Sequence, residues 1–154
     1  MDEEPFDGSS PEITEMTVRN KRLLHQLRET DYADNEAKQR IYRQMFGSIG
    51  KDVYIDIDFR CEYGKNIYFG NKVIVNMNCT FLDNNNIIIG NNVMIAPDVK
   101  IYTATHSVHL AERMPETDMS RSVHLRHNCP PRPYRRWCMD REAALQLVPG
   151  VTSR

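Results

Sequence analysis

The 154-residue sequence has no excess of either charge: 20 basic against 21 acidic side chains leave a formal charge of -1. That excludes the global field which draws a protein onto nucleic acid or an anionic membrane surface. No stretch approaches the ~20 apolar residues that a membrane-spanning helix needs. Met1-Asp2-Glu3-Glu4 supplies no basic region ahead of an apolar run. Cysteine is sparse, and Cys61, Cys79, Cys129 and Cys138 are spaced too widely for a disulfide framework or a paired zinc signature. These absences predict a soluble, cytoplasmic protein with free thiols and no nucleic-acid or membrane partner. The length suits one domain with a modest core.

What is present begins with helix signals. Ser10 is suited to capping, Pro11 to the first helical position, and Glu12 to the positive end of the helix dipole. Ile13, Met16, Leu23, Leu24 and Leu27 then form an apolar stripe, while Arg19, Lys21 and Arg22 read as the solvated face. A second helix is predicted from near Asp34, with Ala37, Ile41 and Met45 on one face and Gly47 as its stop. The two make a hairpin.

After Gly50 the period changes. Between Val53 and Thr105 the chain is rich in β-branched residues, asparagine and glycine, and helical spacing nearly disappears. Hexads start at Phe69 and Val75. Phe81 follows with a two-residue insertion, and the phase resumes at Ile89, Ile95 and Ile101. Each hexad is read as one flat side of a triangular coil whose first residue points to the axis and stacks on its equivalents. Phe69, Val75, Phe81, Ile89, Ile95 and Ile101 are thus predicted core, with the small residue after each at a corner. Hairpins of an antiparallel sandwich would not keep a period of six. The predicted fold is mainly β: a parallel β-helix of hexapeptide repeats, left-handed, behind an N-terminal α-helical hairpin. Its divisions are 1–50 for the helical segment, 51–128 for the β-helix and 129–154 for an aberrant tail.

Beyond Thr117 the pattern weakens. Val123-His124-Leu125-Arg126-His127-Asn128 makes one further poor hexad. From Cys129, three prolines and three arginines in nine residues break any strand ladder. Only Leu147-Val148-Pro149-Gly150-Val151-Thr152 returns to the repeat. His109, His124, His127, Cys129 and Cys138 fall late in the chain at spacings that match no structural zinc site, so no metal is predicted. His106 ends the last clean coil, where regular strand gives way to a charged loop. An imidazole there suits a general base, because it takes and returns a proton near neutrality.

Three phrases carry a resemblance: Phe59-Arg60-Cys61-Glu62-Tyr63-Gly64-Lys65-Asn66-Ile67, Asn76-Met77-Asn78-Cys79, and Ile89-Gly90-Asn91-Asn92-Val93-Met94-Ile95-Ala96-Pro97-Asp98-Val99 leading to Thr103-Ala104-Thr105-His106. From about Phe6 to about Arg113 the chain resembles the maltose and galactoside O-acetyltransferases. That resemblance implies a homotrimeric left-handed β-helix which moves acetyl from acetyl-CoA to a sugar hydroxyl in clefts between subunits. It implies His106 as the base that deprotonates the acceptor, with direct attack on the thioester and no acyl-enzyme. Asn76 matches an asparagine beside the acceptor hydroxyl and the thioester, suited to orienting one or steadying charge on the other. Asp7, Glu62 and Asn84 match acceptor-binding positions, with Glu62 standing where the family often has aspartate or serine. Read without the family, Asn76 is equally a corner residue, Asp7 a turn aspartate, Glu62 a surface charge, and Asn84-Asn85-Asn86 a loop.

The tail departs from the family, whose further coils supply the contacts to CoA; no CoA-binding residue is assigned here. The abrupt loss of period near Cys129 predicts a frameshift, mis-spliced exon or truncation. An alternative is therefore a truncated or degenerate non-catalytic paralogue that keeps a trimeric β-helix as a binding or scaffold module. A serine or xenobiotic acetyltransferase on the same fold fits the Glu62-Tyr63-Gly64 phrase and the helical segment less well.

Overall fold

A computed structural model describes residues 10–104 and 123–125 with their side chains, and 4–7, 105 and 117–120 as strand backbone. The described elements run β1 (Glu4–Asp7), α1 (Pro11–Glu29), α2 (Asn35–Met45), β2 (Ser48–Ile49), β3 (Val53–Ile55), β4 (Arg60–Cys61), β5 (Ile67–Phe69), β6 (Val73–Val75), β7 (Thr80–Leu82), β8 (Ile87–Ile89), β9 (Met94–Ile95), β10 (Lys100–Tyr102), β11 (Ala104–Thr105), β12 (Thr117–Ser120) and β13 (Val123–Leu125). No described helix is long and apolar enough to cross a membrane.

The helices start where the capping residues predict. Ser10 accepts a hydrogen bond from the Ile13 N–H at 3.3 Å, and Asp34 accepts one from the Ala37 N–H at 2.9 Å. The second helix ends differently from the expectation of a glycine stop. Its cap is Phe46, in an extended conformation, with its N–H donating to the Tyr42 carbonyl at 2.9 Å. Gly47 is small for another reason: a Cβ there would lie 2.4 Å from the Lys65 carbonyl oxygen.

The strands form three flat faces of a left-handed β-helix, ordered β13-β8-β5-β2, β3-β6-β9 and β10-β7-β4, all paired in parallel. Register advances by 20 residues per coil, as in Val53↔Val73, Ile74↔Met94, Arg60↔Thr80 and Ile67↔Ile87. Each full coil thus has two sides of six residues and one of eight. The insertion after Phe81 recurs after Cys61, and Ile49, Ile55 and Cys61 form a first coil in the same phase. All six predicted axial residues from Phe69 to Ile101 are buried. The corners depend on more than the small residue after each of them. The left-handed backbone falls two places further on, at Asp52, Lys72 and Asn92 along one edge and at Asp58, Asn78 and Asp98 along another, with φ between 55° and 62°. The third, wider corner contains Gly64 at φ 72°.

Phe46 closes the open end of the first coil. Its ring lies 4.9 Å from Phe69 and 5.9 Å from Phe59 in edge-to-face contacts, and Phe59 continues the series to Phe81 at 5.1 Å. At the other end, Val123–Leu125 does join the stack, with Leu125 beside Ile89. Outside the three parallel faces, β12 pairs antiparallel with both β11 and β1.

Candidate functional site

The wide corner gathers the polar side chains. It links β4 to β5 in one coil and β7 to β8 in the next, so that Glu62, Tyr63 and Gly64 lie beneath Leu82, Asp83 and Asn84. Glu62 is half-buried, and its carboxylate lies 3.8 Å from the Lys21 ammonium on α1. Lys21 therefore faces the corner, in contrast to the purely solvated role read for it. Asn84 donates from its side-chain amide to the Tyr63 hydroxyl at 3.2 Å.

Next to Asn84 in the same coil lies Asp83, fully buried. One of its oxygens accepts from the N–H groups of Glu62 at 3.0 Å and Tyr63 at 2.9 Å; the other accepts from the Asn66 N–H at 3.3 Å. Burial pushes its carboxyl up to about 6, against the pull of these backbone donors. Thr103 repeats the arrangement one coil on. Its hydroxyl accepts from the Asn85 N–H and donates to the Leu82 carbonyl, both at 2.8 Å. Asn20 secures the corner to α1: buried, it donates to the carbonyls of Cys61 at 3.0 Å and Glu62 at 2.9 Å. None of Asn20, Asp83 or Thr103 was singled out by the sequence. Asn20 did leave a signal, because it occupies a slot in the stripe Met16-Asn20-Leu23-Leu24-Leu27.

Of the predicted site residues, Glu62 and Asn84 share this corner, while Asn76 does not. Asn76 stands at the turn between β6 and β7, one full face away, and its amide donates to the Ile95 carbonyl at 2.7 Å. Asp7 belongs to β1 as backbone; its register partner on β12 is Thr117. Met119 pairs with both Pro5 of β1 and Thr105 of β11, so the N-terminal strand reaches the sheet that ends just before His106. His106 itself lies outside the described residues, as do His109, His127, Cys129, Cys138 and the segment 129–154.

Two thiols can be assessed. Cys61 and Cys79 are free and buried, and burial raises both above the ordinary thiol range. Neither is a thiolate nucleophile near neutrality. Among the described residues, no group of three His, Cys, Asp or Glu side chains is placed to hold a metal ion. A groove of about 450 Å³ beneath α1 and α2 is lined by Leu24, Tyr32, Ile55 and Phe59 among others, and contains none of Glu62, Asn76 or Asn84.

Comparison with known proteins places this architecture. Residues 1–50 match the family model described as the maltose acetyltransferase hexapeptide capping motif. A Saccharomyces cerevisiae protein assigned by name as an acetyltransferase is 33% identical over 149 residues, covering 96% of this chain and 71% of that protein. The alignment therefore runs past Cys129. The structure of a maltose O-acetyltransferase from Clostridium difficile 630 superposes with a TM-score of 0.76 at 33% identity, over 79% of this chain and 65% of that one. A hexapeptide-repeat acetyltransferase from Vibrio cholerae, solved with acetyl coenzyme A, gives 0.71 at 31% identity, over 77% and 63%. The chain spans about half the length of several other curated relatives that it matches.

Proposed function

The chain belongs to the hexapeptide-repeat family of maltose and galactoside O-acetyltransferases, and from that membership we propose that it transfers acetyl from acetyl-CoA to a hydroxyl of a sugar. One observation carries the proposal. Glu62 and Asn84 lie in successive coils of the corner whose next strand, β11, runs directly into His106, and β12 joins the backbone of β1, which includes Asp7, to the same sheet.

In this reading His106 takes the proton from the acceptor hydroxyl. The oxygen then forms its bond to the acetyl carbonyl carbon, the thioester C–S bond breaks, and the imidazolium returns its proton to the departing CoA thiolate. Glu62, Asn84 and Asp7 bind the acceptor, and Asn76 orients the nucleophile or steadies the developing oxyanion. Direct transfer accords with two buried thiols that stay protonated, and free thiols accord with a cytoplasmic setting. Asn76 occupies a different edge of the prism from Glu62 and Asn84, so a site containing all three needs two copies of the chain. A homotrimer with sites between neighbours supplies that arrangement. Thiol release from acetyl-CoA over a panel of sugars tests the proposal. A folded chain with no turnover on any of them would favour a non-catalytic binding or scaffold role.

A further inference from the structure

Glu62 is held from three directions. Its N–H donates to the Asp83 carboxylate at 3.0 Å, its carbonyl accepts from the Asn20 amide at 2.9 Å, and its own carboxylate faces the Lys21 ammonium at 3.8 Å. The N–H also points at the Phe81 carbonyl, 3.2 Å away, so the coil ladder and Asp83 share it. Asn20 and Asp83 are both fully buried, and burying two such polar groups is costly unless their bonds are all made. A surface turn that did no more than connect two strands would not need them. Asn20 and Lys21 are consecutive on α1, so one helix fixes both the backbone and the charge of Glu62.

We infer that Asn20, Lys21 and Asp83 are positioning residues that clamp Glu62 as the acceptor-specificity residue of the wide corner. The inference rests on the acceptor site proposed above. A carboxylate held rigidly, with one ammonium drawing on a single oxygen, is set to accept hydrogen bonds from adjacent hydroxyls of a neutral sugar. It repels an acidic one. Glutamate is a long, flexible carboxylate, and the Lys21 ammonium restrains it from sampling other rotamers.

Two measurements test this. In the wild-type chain the amides of Tyr63 and Asn66 should exchange with solvent as slowly as the ladder amide of Ile74, and Asp83→Asn should speed them about tenfold or more. Lys21→Met, at a mostly exposed site, should raise the KM for the sugar about fivefold or more, leaving kcat and the KM for acetyl-CoA unchanged; Lys21→Arg should restore it. Fast exchange at Tyr63 and Asn66 in the wild type would overturn the clamp, even if Asp83→Asn fails to fold. An unchanged sugar KM in an active Lys21→Met enzyme would also overturn it. Absence of turnover in the wild type would sink the acetyltransferase reading instead, and the exchange pattern would still decide the clamp.

Discussion

Gly70 lies so close to Gly90 of the next coil that a Cβ on it would stand 2.7 Å from the Gly90 carbonyl carbon and 2.8 Å from its oxygen. Gly50 meets Gly70 in the same way, at 2.3 Å from its oxygen. The obstacle in each case is backbone, which cannot swing aside as a flexible side chain would. Gly70→Ala should therefore cost about 1–3 kcal/mol of stability, read as a lower denaturation midpoint. A stability equal to wild type would show that the coils can part at this corner.

Lys72 carries a left-handed backbone, φ 55°, at the position where the next coil has Asn92. Lys72→Asn should be neutral or stabilising, whereas the β-branched Lys72→Val should lose about 1 kcal/mol or more. Equal melting temperatures for the two variants would contradict this.

How much of this was legible follows from what repeats. Phe69, Val75, Phe81, Ile89, Ile95 and Ile101 announce themselves because an axial residue must be apolar in every coil. The first coil falls largely within the predicted β-helix span, but its hexad phase is hidden because its axial Cys61 is not a conspicuous hydrophobe and its insertion lies next to the helices. The position of the corner strain was only partly legible: asparagine at 78 and 92 hints at it, but Lys72 and the aspartates in the same columns conceal the pattern. Glu62 and Asn84 are expected at the acceptor site only through the family resemblance. Asp83 was not expected there, since a carboxylate that binds backbone N–H groups of the preceding coil leaves no trace in sequence spacing. That Asn76 stands on another edge from Glu62 follows only once the faces are assembled.

Asp83 also sets a pH dependence. Its folded value of about 6 lies above the ordinary 3.8, so the folded chain holds its proton more tightly than the unfolded chain does. The stability linked to that proton is present in full below pH 4 and is lost as pH rises through 6. Relative to Asp83→Asn, the wild type should lose about 3 kcal/mol across that window. A flat difference between pH 4 and 7 in paired denaturant titrations would contradict the raised value.

The proposed sharing of the site between copies makes a prediction of its own. Asn76→Ala and His106→Ala should each be nearly inactive alone. Co-expressed in equal amounts, they should recover about a quarter of the intact sites, because some neighbouring pairs then contribute both wild-type groups. No recovery in mixed oligomers would place both residues in a site built by a single copy.

The most direct test of the account is thiol release from acetyl-CoA by the purified chain with maltose, glucose and galactosides, compared with His106→Ala. Sugar-dependent release by the wild type is expected, with a loss of about 10²–10⁴-fold in the variant and folding unchanged by circular dichroism. Release that is independent of sugar, or equal rates for the two proteins, would contradict it.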